Sequence, residues 1–81
     1  MLDDPRNMNE ENTEQNIVRV REMLLFRRYL VETGMSDRKI EAAVGSGRMV
    51  RLVPGAFVLR EAWGILRSEE RLLARTLAVA H

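Results

Sequence analysis

The sequence contains no cysteine and a single histidine, His81 at the last position. The first absence excludes a disulfide frame and thiolate metal ligation. The second leaves a histidine-based metal or acid–base centre almost nothing to build from. No apolar run approaches the roughly 20 residues needed to cross a bilayer, and the opening "MLDDPRNMNEEN" has none of the features of a signal peptide. Eighty-one residues make one domain at most, near the lower size at which a single core is self-sufficient. The expectation is a cytoplasmic domain without cofactor or bound metal, with no membrane and no small-molecule substrate among its partners.

The formal charge of +1 hides an uneven distribution. Residues 1–16 carry Asp3, Asp4, Glu10, Glu11 and Glu14 against Arg6 alone, a net of −4. The remainder is basic by +5, and all but one of its cations are arginine. The guanidinium fork suits bidentate contacts to phosphate or guanine better than an ammonium does. Residues 1–13 are polar and without period, and read as a disordered acidic arm. Residues 14–81 read as the folded domain, with Asn12 or Thr13 capping the first helix.

Within that domain Ile17, Val20 and Leu24 recur at helical spacing. The run "MLLFRRYLV" is apolar on nearly every side, so two short helices meeting near Phe26-Arg27 bury it better than one long helix. The second should span about Arg27–Thr33 and end at Gly34. Ser36 then caps a third helix, with Asp37 in its first turn, Ile40, Ala43 and Val44 facing inward, and Gly45 and Gly47 at its exit. Two β-type runs follow, "RMVRL" and "AFVLR", joined through Pro54-Gly55 in a type II turn. Val50, Leu52 and Phe57 should cover the core while Arg51 faces outward. "EAWGIL" reads as a connector in which Trp63 plugs the seam between hairpin and final helix. Ser68 caps that last helix, whose apolar face is wider than one small domain needs and suggests a homodimer.

The fold class expected is α+β, mostly α: a winged helix-turn-helix of three helices, a two-stranded β-hairpin wing and a C-terminal helix. In that design the third helix enters the major groove of double-stranded DNA and the basic hairpin lies on the backbone or in the minor groove. The DNA-binding candidates are Arg28, Ser36, Arg38, Lys39, Ala42, Arg48, Arg51 and Arg60. Arg38 is placed for guanine, Ala42 for a thymine methyl, and Ser36 with the free helix N–H groups for a phosphate. Arg48, Arg51 and Arg60 would engage phosphates. Tyr29 either reaches a phosphate or fills the space between the first two helices.

"MSDRKIEAAVGSGRMVRLVPGAFVL" resembles the N-terminal winged helix-turn-helix of AbiEi-type antitoxins and related actinobacterial and phage regulators. The matching positions are Gly34, Met35, Ser36 and Ile40, then Ser46, Gly47, Met49, Val50, Arg51 and Leu52, then Gly55, Ala56 and Phe57. The resemblance covers about residues 25–80 and extends to "SEERLLARTLAVA". It implies DNA binding and repression of the protein's own operon. The recognition helices of that family usually carry several arginines, and Glu41 and Ala42 depart from that pattern. The function expected is that of a small sequence-specific transcriptional regulator, a repressor rather than an enzyme. The alternative is a protein–protein interaction module on the same scaffold, such as a toxin–antitoxin component without direct DNA contact.

Overall fold

A computed structural model describes residues 5–80, with side chains from Glu14 onward. Residues 1–4 of the expected arm, and His81, lie outside the described residues. Eight elements follow in order: α1 Pro5–Met23, β1 Leu25–Phe26, α2 Arg27–Glu32, α3 Asp37–Gly45, β2 Met49–Val53, β3 Ala56–Leu59, α4 Arg60–Ile65 and α5 Ser68–Ala80. The protein is α+β and mostly helical, with one antiparallel sheet of three strands in the order β1-β3-β2.

Several features differ from the sequence expectation. Helix α1 starts at Pro5 rather than near Thr13, so residues 5–13 continue a helix instead of forming an aperiodic arm. Proline is preorganised for the first helical position, and extending a helix whose C-terminal half is already docked costs far less than nucleating one. The break in "MLLFRRYLV" falls where expected, but Leu25 and Phe26 form a third strand there. They pair with Phe57 and Ala56 on the free edge of β3. The expected connector "EAWGIL" holds a helix, α4, with Leu59 at its N-cap and no side-chain capping bond.

The central strand explains why the core has two parts. Ala56, Phe57 and Val58 are all buried, and alternation sends neighbours to opposite faces. Ala56 and Val58 join Val20, Leu24, Leu52, Leu66, Ala74 and Ala78 on one side, under α1 and α5. Phe57 joins Leu30, Ile40, Ala43 and Met49 on the other, under α2 and α3. Val20 and Val58 are wholly buried, and each contributes about 1.5–3 kcal/mol of apolar transfer. Of the three strand residues expected to cover the core, Leu52 and Phe57 are buried and Val50 is half-buried, while Arg51 is exposed.

The hairpin turn has Gly55 at φ +85°, the value a type II turn demands of its third residue. Type II turns twist poorly with a two-residue loop. The ladder absorbs the mismatch with a register shift between Arg51 and Val53, since a bulge adds local twist. The tip does not project freely, because the Arg27 N–H donates to the Gly55 carbonyl at 2.9 Å.

Helix α5 is capped one residue earlier than expected. The Arg67 carbonyl accepts the Arg71 N–H at 2.9 Å, which makes Arg67 the cap and Ser68 the first helical residue. Glu70, buried, accepts the Arg67 N–H at 2.9 Å and pairs with Arg19 of α1. Trp63 is half-buried against the core as expected, and Arg71 donates to its carbonyl from two nitrogens while lying over its ring. Tyr29 does not fill an interhelical gap; it is 56% exposed.

Candidate nucleic-acid interface

Helix α3 owes its position to local chemistry on both sides. Gly34 takes φ +103° after α2, the left-handed value that lets the chain reverse at a helix end. The Met35 N–H then donates to the Leu30 carbonyl at 2.9 Å, tying the turn down. Ser36 has extended backbone, and its Oγ accepts the Lys39 N–H at 3.2 Å. That hydroxyl is thus committed to the cap. Ile40 and Ala43 are buried and dock the helix on Leu30 and Phe57. At 100° per residue, the opposite arc carries Arg38, Ala42 and Gly45, all exposed. No other part of the described chain covers it.

The two flanks of that arc differ in charge. On one, Arg27 makes a bidentate pair with Asp37, Nε to Oδ1 and Nη2 to Oδ2, both at 2.7 Å. Its hydrogen bond to the carboxylate holds Asp37 below the usual carboxylate range, and the partnership raises Arg27 in turn. Beside it Arg51 pairs with Glu41 and lies over the Phe57 ring at 5.5 Å from the centroid. Arg51 is therefore exposed, as expected, but engaged with the helix rather than free. Pro54 and Gly55 of the hairpin tip share this flank, and Arg28 adjoins the same tip.

On the other flank Lys39, Ala42 and Arg48 border an open groove floored by apolar side chains. Arg48 donates from Nε to Ser46 Oγ at 3.2 Å. Its carbonyl accepts the Arg60 N–H at 2.9 Å. The Cδ of Arg60 lies 4.0 Å from where a Cβ on Gly47 would stand. Among the described residues, the arginines paired with carboxylates are Arg19, Arg27 and Arg51. Arg38, Lys39, Arg48 and Arg60 carry no such neutralisation. Of the eight candidates, these four cations and Ala42 share the outer arc and one flank of α3. Ser36 sits at the start of the helix, while Arg28 and Arg51 lie toward the hairpin tip.

Sequence reasoning missed Arg27 as a positioning residue and did not find either ion pair. Both pairs join residues ten apart on different elements, which leaves no periodic signal in the chain.

Among the described residues no three His, Cys, Asp or Glu side chains gather to hold a metal ion. Among the same residues no helix is long and apolar enough to cross a membrane. Of the adjacent acids Glu69 and Glu70, the second is buried and bonded to Arg19 and the Arg67 N–H. Comparison with protein-family models, curated proteins and solved structures finds no match.

Proposed function

We propose that the protein is a winged helix-turn-helix domain that binds double-stranded DNA with α3 in the major groove. The observation that carries this reading is the pairing of an uncovered α3 arc with four cations that no described carboxylate neutralises, Arg38, Lys39, Arg48 and Arg60. The sheet order β1-β3-β2, with α2 and α3 packed on one face, supports the winged assignment. So does the resemblance of residues 25–80 to AbiEi-type regulators.

In this arrangement Arg38 reads guanine through N7 and O6, and Ala42 meets a thymine methyl. Lys39, Arg48 and Arg60 bind phosphates along one edge and fix the register of the helix. Arg28 serves the opposite edge beside the hairpin tip, where Glu41 holds Arg51 in an ion pair. Two copies meeting through α5, where Leu72 and Val79 are 67% and 72% exposed, would present two α3 helices to half-sites about 34–36 Å apart. The biological role that fits is a small transcriptional repressor acting on its own operon in the cytoplasm.

A second reading has its own observation. Asp37 and Glu41 put two carboxylates on the proposed reading helix, both highly exposed, which suits a protein partner better than a polyanion. Selection of bound duplexes from a random pool, followed by a salt titration of the selected site, decides between them. DNA binding requires an enriched motif and a steep fall of log K with log salt, roughly 0.9 per phosphate neutralised. Absence of enrichment with no salt slope favours the protein-interaction module.

A further inference from the structure

The groove beside α3 is unlike the other depressions of the surface. The one along α1 and α5 is lined by Ile65 and by polar groups of both signs, among which Arg19 already bonds Asn16 and Glu70. The groove beside α3 is instead lined by Leu25, Leu30, Met35, Met49 and Leu59, with Ala42 and Ala43 as one wall. Its volume is about 530 Å³, within the roughly 300–1,000 Å³ typical of small-molecule sites.

Its origin is visible in the packing. The face α3 turns to this side carries the two smallest apolar side chains of the helix, so the strand edges beneath are not roofed over. Leu25 and Met35 stay half-buried and Leu59 is 51% exposed. Scattered exposed leucines are ordinary, whereas a concave apolar patch with a few polar groups at its edge is the usual form of a ligand site. Lys39 from α3 and Arg48 ahead of β2 line the groove almost entirely through their aliphatic stems, which leaves their charged ends to the solvent at its rim, and no acidic residue lines it. Neither cation has a carboxylate partner among the described residues.

That combination specifies the chemistry of an occupant. An apolar body displaces water from the leucine and methionine floor. A single anionic head at the solvent-facing rim meets Lys39 and Arg48 without being buried, which avoids the cost of desolvating a charge. We propose that this groove binds a small amphiphilic anion, such as a medium-chain carboxylate, whose head engages Lys39 and Arg48. Because Lys39 and Arg48 are the cations assigned above to DNA phosphates, occupancy weakens DNA binding; this consequence rests on the proposed function, whereas the binding site does not.

The probe is decanoate below its micellar range, with decan-1-ol as the uncharged counterpart, followed by two-dimensional amide NMR without DNA. The expected result is saturable perturbation at Leu25, Met35, Ala42, Arg48 and Leu59, with decanoate roughly three- to tenfold tighter than decanol, since each of two solvent-exposed ion pairs contributes only modestly. Lys39→Gln with Arg48→Gln should erase that preference while leaving the weaker decanol binding. Ala42→Phe, at an exposed helical position whose folding is checked by circular dichroism, should block both. Equal affinity for the two probes, perturbation elsewhere on the surface, or binding unaffected by Ala42→Phe would overturn the site. With duplex present, saturating decanoate should lower the salt slope by about two units. A slope left unchanged overturns the regulatory coupling alone, and failure to bind any DNA overturns the proposed function while the decanoate result still stands.

Discussion

Neutralising Glu41 should strengthen DNA binding. Glu41 holds Arg51 in an ion pair on the flank of α3 nearest the hairpin tip, so in the free protein that guanidinium faces a carboxylate instead of a phosphate. The side chains are 40% and 63% exposed for Arg51 and Glu41, which places the pair among surface ion pairs contributing about 0–1 kcal/mol to stability. Glu41→Gln should therefore fold normally and release Arg51 for one additional phosphate. One phosphate neutralised adds about 0.9 to the salt slope, which corresponds to roughly eightfold tighter binding at 0.1 M salt and about fourfold at 0.2 M. Fluorescence anisotropy with a labelled duplex across that salt range reads both quantities. Adding Arg51→Ala to the Glu41→Gln protein should remove the extra slope. If Glu41→Gln leaves affinity and slope at their wild-type values, Arg51 is not beside the DNA and the assignment of that flank is wrong.

Three further outcomes follow from the same geometry. Arg38→Ala should cost about 1–3 kcal/mol on the selected site and relax preference at one base position, with little change on random duplex, as competition assays would measure. Asp37 sits below the ordinary carboxylate range because Arg27 hydrogen-bonds it. The pair thus supplies stability above the unfolded-state value of about 3.9 that is lost as pH falls through the lower folded-state value. Carboxyl NMR titration should show an Asp37 midpoint under 3.9, returning upward in Arg27→Ala, and an unchanged midpoint in that variant would refute the pairing. Phe57→Ala empties the centre of the α2/α3 side of the core, where the ring is 2% exposed. It should cost about 3–5 kcal/mol, a large share of the roughly 5–15 kcal/mol typical of whole domains, and a urea midpoint near wild type would contradict the packing described.

What was legible in the sequence was the part encoded within a few residues. Ser36 as cap, Ile40 and Ala43 as the docked stripe, the Gly34 exit from α2 and the Pro54-Gly55 turn each follow from local rules, and the structure has all of them. Strand β1 was not legible. Leu25 and Phe26 are two residues inside a continuous apolar run, and their extended state is imposed by pairing with β3, about thirty residues away. Helix α4 was hidden because it contains Gly64 and lacks a capping side chain. At the candidate interface, the cations themselves could be named from the chain. Which of them are neutralised could not, because Arg27–Asp37 and Arg51–Glu41 form only after α2, α3 and the hairpin have packed together. The expected start of α1 erred for a related reason: the polar stretch before Glu14 has no apolar period, yet the docked half of the helix carries it along.

The most direct test of the DNA-binding account is an amide NMR titration of the protein with a selected duplex of about two helical turns at low salt. Perturbations concentrated on Ser36–Arg48, Arg60 and Gly55 at the hairpin tip, vanishing as salt is raised, are the expected result. Perturbations confined to α5 or to the distant end of α1, or none at all with a duplex that competes no better than random DNA, would contradict it.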